Sequence, residues 1–157
     1  MWDVQGSVPL AGGIEPTAAR ARIESDLGMM AHTTVRPGEN KVAFRVSGRR
    51  WWNGGLPWDN VDAGQVRVDP LTRTISFQLD MTRKFYWSLT AIPFFFLTGL
   101  FMGWSPIVAA GAGVFAFVLT WVSNHWATEQ RVTRYLTQVA NGVPYKPSLG
   151  PSFWIGS

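Results

Sequence analysis

Residues 85–128 read FYWSLTAIPFFFLTGLFMGWSPIVAAGAGVFAFVLTWVSNHWAT, a run without a single Asp, Glu, Lys or Arg. A bilayer core is about 30 Å thick, and a helix needs roughly 20 mostly apolar residues to cross it. This run is long enough for two crossings. Its middle carries the residues of a tight reversal: Gly103, then Ser105 as an N-cap, then Pro106 at a first helical position. The pattern predicts a transmembrane helical hairpin over 85–128, with a domain at 1–84 before it and a segment at 129–157 after it.

The flanks predict the orientation of that hairpin. Arg83 and Lys84 stand directly before it, Arg131 and Arg134 follow it, and 102–106 between the helices carry no charge. By the positive-inside rule both flanks are expected in the cytoplasm of a bacterial inner membrane that is crossed twice. The tryptophans agree in spacing. Trp87 to Trp104 and Trp104 to Trp121 are equal steps, each about 25 Å along a helix. Trp87 and Trp121, with Trp126 just beyond, are expected at one interface and Trp104 at the other, as an aromatic belt requires.

Composition narrows the functional classes. The net charge of +4 is divided evenly between the two flanks, too weak and dispersed for a nucleic-acid footprint. There is no cysteine, which excludes disulfides, thiolate metal sites and thiol catalysis. The start, MWDVQGSVPL, lacks the basic and apolar regions of a signal peptide, so the first apolar helix is expected to serve as the insertion signal.

Within 1–84, residues 1–14 are Gly-rich and read as irregular. A helix is expected from about Glu15, with Pro16 in its first turn and Ala19, Ile23, Leu27 and Met30 on one face. Gly28 weakens its end. Three strands follow at 40–46, 65–68 and 74–81, each alternating apolar and polar residues. The link Asp69-Pro70-Leu71-Thr72-Arg73 has turn chemistry. The expected fold is an α+β membrane protein: a helix on a three-stranded antiparallel sheet, then a two-helix transmembrane hairpin whose second helix extends into the cytoplasm. In that extension Val132, Tyr135, Leu136 and Val139 form a stripe fit to lie on the sheet, and Asn141-Gly142 end the helix.

Several residues are candidate contacts. Trp51, Trp52 and Trp58 share a loop with Arg49 and Arg50, a composition suited to a partner or a headgroup region, or to closing the small core. Ala109/Gly113 and Ala112/Ala116 are small-xxx-small pairs on adjoining helix faces, one for the neighbouring helix near Gly99 and one for another protein. Pro93 removes the hydrogen bond to the Leu89 carbonyl and should bend the first helix, with Thr90 able to supply a hydroxyl. Phe94, Phe95, Phe96 and Phe101 read as a lipid-facing surface. The tail after Pro144 carries further prolines and ends in Phe153, Trp154 and Ile155, an apolar tip suited to docking on another subunit.

No catalytic motif is present. The membrane run holds no ionisable group at mid-depth, which argues against a pump or ion-coupled transporter. His125 is a weak cofactor candidate because no partner motif accompanies it. No cofactor is predicted, although the apolar surface leaves room for lipid or pigment. The expected function is a non-catalytic accessory subunit that stabilises contacts in a larger inner-membrane complex, photosynthetic or respiratory, with other integral membrane subunits and the bilayer as partners. A small membrane enzyme or pigment-binding protein, and a self-associating hairpin acting as a pore or signalling module, are the alternatives.

Overall fold

The computed structural model describes residues 3–30, 33–47, 58 and 61–144. Five strands form one antiparallel sheet: β1 (Asp3–Pro9), β2 (Thr33–Pro37), β3 (Lys41–Val46), β4 (Ala63–Asp69) and β5 (Thr74–Asp80). Their spatial order is β1-β5-β4-β3-β2. Helix α1 (Pro16–Gly28) lies over β2, β3 and β4. The chain then leaves the sheet through α2 (Thr82–Leu89) and α3 (Ala91–Phe101), reverses, and returns along α4 (Pro106–Ala140), whose end lies over β1 and beside α1.

The three alternating segments at 40–46, 65–68 and 74–81 are strands, but they are the middle of a larger sheet. Residues 3–9 are not irregular: β1 pairs with β5 from Asp3↔Asp80 to Pro9↔Thr74. The glycine that obscures this strand is what permits it. Val4, Gly6 and Val8 point toward the core, and a Cβ on Gly6 would lie 2.7 Å from Cζ of Phe77. The Phe77 ring occupies the space of the missing side chain. Strand β2 pairs with β3 at the opposite edge and buries no residue fully, so its sequence carries little apolar alternation.

The core lies between one sheet face and the two helices. Ala19, Ile23 and Leu27 of α1 face Val42, Phe44, Val66, Val68, Ile75, Phe77 and Leu79 of the sheet. The stripe Val132, Tyr135, Leu136 and Val139 of α4 is buried in the same cluster. The other sheet face is polar, and a cross-strand ladder runs over it: Gln65 Nε2 donates to Gln78 Oε1 at 2.9 Å, and Gln78 Nε2 to Asp3 Oδ2 at 2.9 Å. Alternation by two thus sorts these strands into one buried and one wet face.

Side chains fasten the connections to this core. Arg73 donates to the carbonyls of Ala11 (2.8 Å) and Ile14 (3.0 Å), and Arg20 to those of Gly38 (2.9 Å) and Glu39 (2.6 Å). Tyr135 donates its hydroxyl to Asp26 at 2.7 Å, joining α4 to α1. Helix α4 ends at Gly142, at φ +70°, where the Val143 N–H bonds the Gln138 carbonyl at 2.8 Å. That pattern closes the last turn and satisfies carbonyls a helix end would leave bare.

Two expectations about the hairpin change. The first apolar helix is not one element: α2 and α3 meet at Thr90, so among the described residues only α4, 35 residues long, has the length and apolar composition to cross a membrane by itself. The cause of the interruption is Pro93, which has no N–H to give the Leu89 carbonyl. Thr90 keeps helical torsions (φ −64°, ψ −16°), so the break is in hydrogen bonding. Its hydroxyl bonds the Trp87 carbonyl at 2.6 Å, two residues before the Leu89 carbonyl that Pro93 cannot serve.

Candidate membrane-junction site

The functional geometry gathers where the sheet hands the chain to its apolar helices. Strand β5 runs through Met81 directly into α2, with no linker. The first turn of any helix has N–H groups without partners, and carboxylates are favoured there. Two are supplied. Asp80 Oδ1 accepts from the Thr82 N–H at 2.9 Å and from the Thr82 hydroxyl at 2.5 Å. Asp62, which precedes β4, accepts from the Arg83 N–H at 2.6 Å, and the Arg83 guanidinium Nε lies 3.6 Å from its other oxygen. Asp62 is itself held in the sheet: its N–H bonds the Asp80 carbonyl at 2.9 Å, and its carbonyl accepts from Val46 at 2.9 Å. Two aspartates, one ending β5 and one just before β4, thus hold the first turn of α2.

Burial shapes the charges here. It pushes the Asp62 carboxyl above the ordinary value, an effect opposed by the Arg83 N–H bond and by the Arg83 and Lys84 charges. Burial also pushes Lys84 down, and the nearby Arg131 charge adds to this, opposed by Asp62. Lys84 and Arg131, at the two ends of the apolar run, are therefore neighbours in space.

Below the aspartates one face of α2 is open. Asp62, Asp80, Thr82, Arg83, Tyr86, Trp87 and Thr90 line a groove of about 510 Å³. Tyr86 and Trp87 are exposed on it, at 64% and 53%. The opposite face of α2 packs on α4. Phe85 makes edge contacts with Trp121 at 5.1 Å and Phe117 at 5.7 Å. Trp121 is consequently level with the start of α2 and partly buried, whereas Trp87 and Trp126 face outward.

Farther along, α3 and α4 approach until backbone meets backbone. A Cβ on Gly113 would lie 2.7 Å from the Ile92 carbonyl oxygen, and one on Gly99 would lie 2.9 Å from the Cβ of Ala109. Ala109 and Gly113 are thus covered by the chain's own α3. The reversal uses Gly103 at φ +79°, with the Trp104 N–H bonded to the Gly99 carbonyl at 2.9 Å, and Ser105 capping α4 through the Val108 N–H at 3.4 Å. Gly103 adopts a left-handed conformation that a Cβ disfavours. Ala112 and Ala116, on the adjoining face, are half-buried. Phe94, Phe95 and Phe101 are exposed and Phe96 is half-buried.

Trp58 belongs to the protein's own core, as the core-closing reading of its loop has it. It is 2% exposed and wedged edge-on between Phe44 of β3 (5.2 Å) and Tyr135 of α4 (5.4 Å). Its indole fills the space between β3 and α4. Trp51, Trp52, Phe153, Trp154 and Ile155 lie outside the described residues. His125 sits 5.8 Å from the Trp121 ring, its Nδ1 buried without a hydrogen-bond partner. Among the described residues no three His, Cys, Asp or Glu side chains converge on a metal-sized site.

Comparison with known proteins finds no match: no family model fits the chain, and no characterised protein or solved structure is significantly similar to it. The two aspartate caps and Tyr86 beside Trp87 on the groove are what sequence reading missed. Asp62 and Asp80 are far apart in the chain, and only the pairing of β4 with β5 brings them to one helix end.

Proposed function

We propose that this protein is a non-catalytic accessory subunit of an inner-membrane assembly, anchored by its apolar helices and presenting its sheet domain at the cytoplasmic surface. One observation carries the reading. The apolar window of α4 is only 11% buried within the chain. A core helix of a water-soluble protein hides such a surface, and a helix that displays it requires lipid or another apolar partner around it. In this reading α2 from Phe85 onward and α3, together about 25 Å in series, form a second crossing beside α4. Arg83, Lys84, Arg131 and Arg134 hold the domain end in the cytoplasm.

The assembly role rests on what remains uncovered. The close-packing face Ala109/Gly113 is used within the hairpin, which leaves Ala112, Ala116 and the exposed phenylalanines for lipid and neighbouring integral membrane subunits. The tail tip Phe153-Trp154-Ile155 is the proposed anchor on such a neighbour. Native-size analysis of the full chain after mild detergent extraction tests this. A large species containing other integral membrane proteins is expected, with an energy-transducing complex the first host to look for. A monomer, or a ladder of homo-oligomers, would overturn it. Truncation after Pro144 is expected to leave the protein inserted while weakening its retention in that species. Orientation has its own test in this cysteine-free chain: an impermeant thiol reagent on intact cells should label Ser105→Cys and spare Ser47→Cys.

A further inference from the structure

We infer that the outer face of the sheet, over β2, β3 and β4, docks an acidic peptide segment of a neighbouring subunit. The inference rests on the assembly reading above and gives that assembly a contact surface outside the apolar helices. Strand register gathers four cations there that are scattered in the sequence. Ala43, in the middle of β3, lies opposite Arg36 of β2, and Lys41 and Arg45 flank it two residues away on its own strand. Arg67 of β4 is opposite Lys41 and diagonal to Ala43. Neighbours of these kinds on one sheet face stand about 5–8 Å apart at Cβ. All four cations are exposed, and among the described residues none of them is in an ion pair. The residue they surround is an alanine, so no large side chain fills the centre.

Like charges directly opposite across a ladder destabilise it. Lys41 and Arg67 stand in that relation. Two acids lie near them: Glu39, between β2 and β3, and Asp69, whose Oδ1 accepts from the Leu71 and Thr72 N–H groups at 2.9 and 3.4 Å. Four cations against two acids leave the patch positive. Beside it the face continues as neutral amides and hydroxyls: Gln5, Ser7, Gln65, Ser76 and Gln78, with Lys41 and Arg67, border an open hollow of about 710 Å³. Arginine takes a carboxylate through paired hydrogen bonds and lysine takes one as a point charge, while amides and hydroxyls suit a peptide backbone.

Two other anionic occupants fit less well. Single-stranded nucleic acid needs aromatic faces for its bases, and none of the outward side chains on the five strands is aromatic. A bilayer surface meets the wrong charge first. Strand β5 enters α2 at its Asp80 end, where Asp3 stands opposite Asp80. Lys41 and Arg67 share the row of Ser76, four residues and about 13 Å farther from α2 along the strand.

The test places a photo-crosslinking amino acid at Gln65 of the full chain in its native membrane and identifies the product by mass spectrometry. A stretch rich in Asp and Glu from another subunit is expected. Its yield should fall about tenfold when Lys41→Glu and Arg67→Glu are combined, since two attractions become repulsions. Both side chains are exposed, so the melting temperature should hold. Arg36→Gln alone should lower the yield severalfold, and it serves if the double variant does not fold. Arg134→Gln, an exposed cation on α4, should leave the yield unchanged. A crosslink to lipid, to nucleic acid or to a second copy of this chain would overturn the docking surface, as would an acidic product whose yield ignores the charge reversal. Absence of any crosslink from a chain that migrates in a large species with other membrane proteins would overturn the surface alone. A chain that migrates by itself would overturn the assembly reading and the surface with it.

Discussion

The two halves of α4 are one continuous helix with opposite surfaces. Its first half shows Ile107, Val114, Phe115, Val118 and Leu119 to the outside and buries only Ala109 and Gly113. Its second half buries Thr128, Val132, Tyr135, Leu136, Val139 and Ala140 and shows Glu129, Gln130 and Arg134 on other sides. In the first half the small residues are inside and the large apolar ones outside; in the second the usual order of a water-soluble protein returns. On the proposed membrane reading, the inversion marks a change of solvent along one rod. Where lipid surrounds a helix, burying a large side chain offers little, and close backbone approach holds helices together. Where water surrounds it, apolar area removed from solvent is the main stabilising term.

Substitutions of one residue type in the two halves put this contrast to its strongest test. Leu136 is fully buried and Leu119 is 58% exposed. Leu136→Ala should destabilise by about 2–5 kcal/mol in denaturant unfolding of the sheet domain. Leu119→Ala should change it by no more than about 0.5 kcal/mol. Similar losses at both positions would mean that the two halves share one environment.

Next in size is Gly113→Leu. With the Ile92 carbonyl 2.7 Å from where a Cβ would sit, α3 has to move. A cost of about 1–3 kcal/mol is expected, read as lower thermal stability in detergent and loss of a disulfide engineered between α3 and α4. Unchanged stability would show that α3 and α4 do not depend on close contact there. Tyr135→Phe, in the half packed on the sheet domain, removes the 2.7 Å bond to Asp26 and keeps the ring against Trp58. It should cost about 1 kcal/mol, and no loss would show that this bond only replaces one to water.

The smallest effect lies at the junction of the two environments. Lys84 has a folded-state pKa below the ordinary 10.5, from burial first and the Arg131 charge second. The unfolded chain therefore binds more protons between the depressed value and 10.5, and stability should rise with pH through that window. The parent protein is expected to gain melting temperature relative to Lys84→Met as pH approaches 10.5, the difference being a degree or two. A constant difference across that range would mean Lys84 is fully solvated.

Much of this architecture was legible in the linear chain. The charge-free run at 85–128, the turn residues Gly103-Ser105-Pro106 and the stripe Val132/Tyr135/Leu136/Val139 are local patterns. A pattern of solvation or spacing survives in sequence because one element carries all of it. Helix α1, its end at Gly28 and strands β3, β4 and β5 belong to the same class. The proline that divides α2 from α3 was visible; that the division leaves a single helix long enough to cross alone depended on where the hydrogen bonds broke.

What the tertiary structure decided involves partners distant in the chain. Strand β1 is glycine-bearing and unremarkable until Phe77 is placed under Gly6. For Trp58 the sequence left a partner or membrane contact and a core position both open, and Phe44 and Tyr135 closing on it from two sides place it in the core. The junction groove exists because strand pairing sets Asp62 beside Asp80 at the start of α2. The physical reason is common to all three. Hydrophobic periodicity records which side of an element avoids water, but it does not record which other element covers that side. That is settled only when the chain packs, by the shape of side chains that meet from far apart in sequence.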